Sequence, residues 1–415
     1  MRLLSLFVFL FLSLAATAQL DQGLSAYYRF ESNLGDASGE PTNLGSAEGV
    51  VDYACGVIGE SLLLTGPNDF VRIPGGASNN VNREFDDEDF SISLYFKPLT
   101  DGGGERYLLS KQDTSCITGR AGFTVVYDPG SRQVTVTLRQ DDSLSTTLVH
   151  TIASSSCWQQ LVVVRELTRL RLYVNGVEVA SANSTQRINV DNAGDLLIGA
   201  ADCPAPGITT FSGVIDELRI YGRPLPAADV RALYLFPDRI LTPDQNVFLG
   251  QGVEVALNSN CGTIFDWTPV GPVVAADEPE PTITPTQPGI RSFVVSIADD
   301  ISSCVATDTL TLRVIDPTDL DCGQVFLPRA FTPNGIGPVE NETFGIANPF
   351  AIGDLVTFEI YDRYGGQVFR TDDQFAQWDG TFRGEPVNPG VMFWRVVYRC
   401  EGEELNLSGT VRVLR

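Results

Sequence analysis

Between residues 25 and 221 the chain is written in short runs that alternate apolar and polar positions or are rich in β-formers. SAYYRF, DFVRIP, FSISLYFK, GFTVVYD, QVTVTLRQ, QQLVVVRE and LRLYVNG are examples. A period of two puts every second side chain on one face, the pattern of a strand laid against a core. Asn175-Gly176 separates two such runs, and both residues tolerate positive φ, so a hairpin is predicted there. Many short strands divided by turns predict a sandwich or jelly roll. One stretch departs from the period. In PLPAADVRALYLF, Val230, Leu233 and Tyr234 recur at helical spacing after a Pro-rich start, which predicts a helix clasped onto the end of the sandwich.

The pattern changes after residue 236. VEVALN, IFDWTP, RSFVVSIAD and TLTLRVID read as strands around a Pro-rich stretch and a central Trp267. Residues 237–316 therefore predict a small immunoglobulin-like (PKD-like) sandwich serving as a spacer. Residues 317–415 predict a further all-β unit. VTFEIYDRYGGQVFR is a hairpin turning at Gly365-Gly366, and Asp379-Gly380 and Pro389-Gly390 are later turns, the second leading into the strand VMFWRVVY. The fold class expected is all-β throughout.

Composition sharpens this picture. The first residues, MRLLSLFVFLFLSLAATAQ, join a cation to a short apolar run and an Ala-x-Ala site, so residues 1–18 are expected to be a signal peptide and the rest exported. No later run is long enough to span a bilayer. A net charge of −24 argues against nucleic acid and disfavours anionic lipid. Hydrophobic residues at 43% suffice for real cores. Eight cysteines in an exported chain read as disulfides, and none lies in a C-x-x-C pair that would suggest zinc. In an immunoglobulin-like sandwich Cys261 and Cys304 fall in turns at one end, so they are expected to pair. Cys322 with Cys400 would tie the ends of the last unit. Cys55, Cys116, Cys157 and Cys203 leave three pairings open.

Candidate chemistry is sparse. EFDDEDF places Glu84, Asp86 and Glu88 at alternating positions, the spacing of jelly-roll glycoside hydrolases; on a strand all three carboxylates would share one face, where two of them fit the nucleophile and acid of a retaining mechanism. Five acids in six residues are poor strand formers, however, and a solvated turn is the preferred reading. The one histidine, His150, sits in the alternating TTLVHTIA and is expected to face solvent or a neighbouring strand. No catalytic residue is assigned, because a Ser-His-Asp or Cys-His set lacks material and there is no phosphate loop.

Two resemblances add to this reading. FSGVIDELRIYGRPLPAADVRALY (211–234), GLSAYYRFESNLGDASGEPTNLG near the start and LRLYVNGVEVA in the middle resemble laminin G-like, concanavalin A-like jelly rolls, over residues 19–236. LPRAFTPNG, FEIYDRYGGQVF, WDGTFRGEPVNPGVMFW and LSGTVRVLR resemble, in order, the gliding-motility-associated C-terminal domain, a sorting signal of the type IX secretion system in Bacteroidetes-type bacteria. Its motif positions are Phe331, Pro333, Asn334, Gly335, Trp378, Asp379, Gly380, Pro389 and Gly390. The aromatics of this segment are expected in its core. The loop after Gly335 departs from the family at Ile336, which weighs against calcium there.

The jelly-roll resemblance implies two calcium sites, one joining Asp36 to Asp216 and one joining the loops of Asp113 and Asp202. A Cys116–Cys203 disulfide clamping that second pair of loops is the other reading, with Cys55–Cys157 as the remaining pair; Cys116–Cys157 is the alternative. Asp142-Ser143-Leu144 and Asp308-Thr309-Leu310 have the form of O-glycosylation acceptors in that lineage, although Asp before Ser or Thr is common in turns. The resemblances together imply a secreted or cell-surface, non-enzymatic protein that binds glycan or a matrix component through the jelly roll. Tyr28, Tyr95 and Tyr127 are stacking candidates for a sugar, with core positions the simpler reading. A structural surface component and a jelly-roll glycoside hydrolase are the alternatives. The type IX machinery is the implied export partner.

Overall fold

The computed structural model describes residues 20–415 except 76–80, 82–83, 86–87, 101, 114, 117–120, 259–260, 317–324, 336–340, 353, 401 and 415. The signal peptide, Asp86, Cys322 and Ile336 thus lie outside the described residues.

Two eight-stranded antiparallel-dominated sheets form the N-terminal sandwich. The first runs Val177–Asn183, Arg169–Val174, Gln159–Glu166, Phe90–Pro98, Gly213–Tyr221, Glu60–Leu64, Val51–Cys55, with Leu24–Tyr28 on Gly213–Tyr221. The second runs Ser145–Thr151, Gln133–Arg139, Gly122–Asp128, Arg106–Gln112, Leu196–Ile198, Phe70–Ile73, Ser46–Glu48, with Thr209–Thr210 beside Arg106–Gln112. The alternation is obeyed. Phe123, Val125, Tyr127, Val134, Val136 and Leu138 point into the core between the sheets. The predicted hairpin is present, with Asn175 at φ 50° and Gly176 at φ 78° joining its strands. Tyr28, Tyr95 and Tyr127 are all buried, so the core reading holds for each.

The back of the first sheet is also covered. The predicted helix, Ala227–Ala232, buries Val230 there, and Leu233 just beyond it, against Val162, Val164, Tyr173 and Tyr221. Beside it Tyr95, Trp158 and Val214 pack with Cys261 and Ile301 of the next segment. That segment is a four-stranded sheet, Gln245–Phe248, Val305–Ile315, Gly289–Ala298, Ile264–Thr268, facing the three strands Val253–Glu254, Thr282–Ile283, Val273–Val274, with Trp267 fully buried between.

The disulfides correct two expectations. Cys116–Cys203 forms as implied. Cys261 and Cys304 do not pair with each other, nor does Cys55 pair with Cys157. The bridges are Cys55–Cys261 and Cys157–Cys304, with Cα–Cα separations of 5.6 and 5.8 Å, well inside disulfide range. The reason is packing. The end of the small sandwich that carries Cys261 and Cys304 abuts the back of the first sheet, so each thiol meets a jelly-roll cysteine. Between the bridges the Lys97 ammonium is fully buried, 2.5 Å from the Asp299 carboxylate and 4.9 Å from the centre of the Trp158 ring. The Asp238 carboxylate accepts the Cys157 N–H at 3.2 Å. Ser155 and Thr307 exchange bonds from side chain and backbone, at 2.8 and 3.3 Å. The expected spacer is stapled to the jelly roll.

The last unit is a five-stranded sheet, Ala330–Phe331, Glu403–Val413, Gly390–Cys400, Asp354–Tyr361, Gln367–Thr371. Its hairpin turns at Gly365 as predicted. Cys400 is disulfide-bonded, while the expected partner, Cys322, lies outside the described residues. Among the described residues no helix is long and apolar enough to cross a membrane.

Candidate functional site

With one sheet covered on both faces, the outward face of the second is the open surface of the sandwich. The same alternation that sends Val134, Val136 and Leu138 inward sends Thr135, Thr137 and Arg139 outward. Thr124 lies opposite Thr137, and Val126 opposite Thr135, on the adjacent strand. The Thr137 and Thr147 hydroxyls continue the row at 3.1 Å. Thr124, Val126, Thr135 and Thr137 floor a groove of about 580 Å³, within the usual range of ligand sites.

The walls are two loops. One, 203–208, lies over Tyr107, whose hydroxyl accepts the Ala205 N–H at 2.9 Å. The other carries Asp113, Cys116 and Ala121. The Cys116–Cys203 bridge ties them together at the rim. Glu105, Asp113 and Arg139 supply charge around the opening. Gln112 also lines the groove, and its Oε1 is buried with no hydrogen-bond partner. An acceptor in that state is costly unless something donates to it.

The structure brings the loops of Asp113 and Asp202 together, as the sequence implied. The bridge and an arginine hold them. The Asp202 carboxylate meets Arg72 at 3.0 Å, and Arg72 also reaches Asp195 at 2.7 Å; both bonds hold the guanidinium well above its ordinary pKa. Asp113 accepts the Ser115 N–H at 2.8 Å in a local turn. Asp36 and Asp216 sit in separate networks. Asp36 accepts from the N–H groups of Tyr27 and Ser38 at 2.8 Å each, and from Asn43 at 2.9 Å. Asp216 accepts from the Glu217 and Ile58 N–H groups at 2.7 and 3.2 Å, and burial with the Glu217 charge beside it pushes its carboxyl up to about 8. Among the described residues no three His, Cys, Asp or Glu side chains form a cluster able to hold a metal.

Glu84 and Glu88 do not share a strand. Glu84 is buried in a turn, where it accepts the Ser25 hydroxyl at 2.8 Å, and Glu88 is exposed in a bend. His150 is half-buried on the edge strand. Ser143 is exposed between two strands, and Thr309 is exposed within one. The groove residues escaped sequence reading, although QVTVTLRQ held the signal: its polar half is the floor, and nothing local marks that face as open.

The sorting-motif positions converge. Phe331 and Trp378 rings lie 5.5 Å apart, with Phe344 at 5.8 Å from Phe331. Trp378 donates its indole N–H to the Thr381 carbonyl at 2.8 Å, and Asp379 accepts the Thr381 N–H at 2.9 Å. Gly380, at φ 75°, lets Pro333 pack where a Cβ would stand 2.7 Å away. Gly335 donates to Glu342 at 2.8 Å; Asn334 donates to the Thr332 carbonyl at 2.9 Å, and Pro389-Gly390 opens the strand Gly390–Cys400. The core expectation holds for Trp378 and fails for Phe382 and Phe393, which are exposed. Side chains alternate along Gly390–Cys400, so Met392 enters the core and Phe393 must leave it.

Domain 4 of an extracellular GH43 arabinanase from Geobacillus stearothermophilus, in complex with arabinotriose, is similar in structure at 20% identity, TM-score 0.38, covering 51% of this chain and 98% of that one. A Ruminococcus gnavus sialidase CBM40 is similar at 15% identity and TM-score 0.34, covering 40% and 96%. A botulinum neurotoxin type C structure, described as dependent on two ganglioside molecules for cell entry, is similar at 13% identity and TM-score 0.45, covering 95% and 94%. No curated protein is significantly similar in sequence. Residues 66–231 match the concanavalin A-like lectin/glucanases superfamily in its laminin G form, and residues 325–413 match the CHU_C type IX secretion signal domain. The chain therefore joins a laminin G-type, concanavalin A-like jelly roll to a type IX secretion signal, which implies export to the cell surface or beyond it.

Proposed function

We propose that this is an exported, non-enzymatic protein that binds a glycan or glycan-bearing matrix component in the groove on the open sheet. The carrying observation is the groove itself, a row of threonine hydroxyls beside the unpartnered Gln112 acceptor, with a disulfide-fixed rim. Sugar hydroxyls both donate and accept, so one ring edge can satisfy Gln112 and bond the threonines. Pre-formed walls lower the ordering cost of binding. Carbohydrate-binding modules among the similar folds are consistent with this reading. Arg72 supplies positive charge between Asp195 and Asp202, so binding is expected to proceed without calcium.

A glycan array probed with the full chain, with calcium and again with chelator, tests this. The expected result is a selective signal that chelation leaves within twofold and that Gln112→Leu with Thr137→Val reduces at least tenfold. A blank array from folded protein would favour a structural surface component. Release of reducing ends from any polysaccharide by the wild type would restore the hydrolase alternative.

A further inference from the structure

The open face of the C-terminal sheet carries side chains that packing does not explain. Phe393 is 50% exposed and lies opposite Tyr361, and Tyr364 at the hairpin tip is 87% exposed. Arg363 lies 5.8 Å from the Tyr364 ring, and its Nη2 is 3.5 Å from where a Cβ on Gly390 would stand. Arg395 is two positions beyond Phe393 on the same face, and Arg412 is cross-strand from the exposed Val391. Glu359 is the carboxylate among them, 3.9 Å from Arg370 and 4.0 Å from Arg395. Asp362 is engaged by the turn's own N–H groups, from Tyr364 and Gly366. At the far end of the face Arg399 is matched by Asp354 at 2.9 Å and lies opposite Glu404. The aromatic half is therefore a positive patch on a chain of net charge −24.

We infer that this half-face, built on Tyr361, Tyr364, Phe393, Arg363, Arg395 and Arg412, is where the export machinery takes hold, and that the machinery presents an acidic protein surface to it. The inference rests on the sorting-signal reading of residues 325–413. Exposed aromatics beside arginine are the composition of contact hot spots. The arginines match an acidic partner, whereas an anionic bilayer would repel the rest of the chain. Among the described residues the face stays open, with Phe393 and Tyr364 exposed, while the aromatic contact with the preceding sandwich is made by Phe350 and Phe375.

The test is export of the full-length protein from a bacterium with a type IX system, read as the extracellular fraction. Arg363→Glu/Arg395→Glu/Arg412→Glu is expected to lower export at least tenfold. The corresponding triple lysine variant should keep at least half. Tyr364→Ser, at an exposed tip where it cannot unfold the sheet, should lower export severalfold. Wild-type export of both the charge-reversed and the Tyr364→Ser proteins, with the 325–413 deletion still retained, overturns the inference alone. Export of the deletion overturns the sorting reading with it. Arginine-dependent cosedimentation of the purified protein with phosphatidylglycerol vesicles would assign the patch to a membrane and likewise overturn the inference.

Discussion

The middle sandwich has two neighbours and is joined to them in opposite ways. Towards the jelly roll it has two disulfides, a buried ion pair under a tryptophan, and a shared apolar cluster. Towards the sorting domain the aromatic contact is a triad, Phe248 against Phe350 at 5.2 Å and Phe375 at 6.4 Å, with Phe375 43% exposed. The first junction fixes orientation covalently; the second is the kind of contact that can open. The contrast fits the work proposed for each part. A groove on the open sheet benefits from a rigid mount, and a sorting signal must be accessible to whatever reads it.

The largest break in this comparison should come from the bridges. Each closes a loop of 206 or 147 residues and is worth about 5 kcal/mol in the chain-entropy account. Cys261→Ser with Cys304→Ser is expected to lower the melting temperature of the jelly roll and middle sandwich and to separate their transitions in calorimetry. The C-terminal transition should stay in place. A shift of all three together would show that the second junction is as firm as the first.

Lys97→Ala should come next. It strands Asp299, whose carboxyl burial would push up but which Lys97, with the Ser302 and Ile301 N–H groups, holds below its usual range, and breaking a buried pair from one side costs about 3–5 kcal/mol. Lys97→Met with Asp299→Leu should recover most of that loss in urea denaturation. Equal loss in the single and double variants would mean that the pair does not set the junction's stability.

The smallest effect is expected from Phe375→Ser. At most about 1 kcal/mol of burial is involved, so the melts should shift by no more than a few degrees. Small-angle scattering should nonetheless report a wider spread of C-terminal domain positions. An unchanged scattering profile would point to contacts beyond the triad.

Much of the fold was legible because strand alternation is local. QVTVTLRQ, FSISLYFK and LRLYVNG became strands as read, although FSISLYFK is buried on both faces, and Asn175-Gly176 turned where positive φ allowed it. The helix ending the jelly roll followed from Val230 and Leu233. Cys116–Cys203 followed from family likeness, since both loops leave neighbouring strands of one sheet. Cys55, Cys157, Cys261 and Cys304 did not follow, because their pairing depends on which sandwich covers which surface. Spacing carries no record of that.

By itself, then, the sequence determined an all-β chain, its turns, the two alternating faces of its strands and the sorting motifs at its end. These depend on residues a few positions apart and on the two-residue period. Only the tertiary structure decided that the back of one sheet is covered and the front of the other is open. That choice made Thr137 and Gln112 a groove, buried Lys97, and left Phe393 in solvent. A strand's pattern fixes that it has two faces; what lies against each is settled by the packing of distant segments.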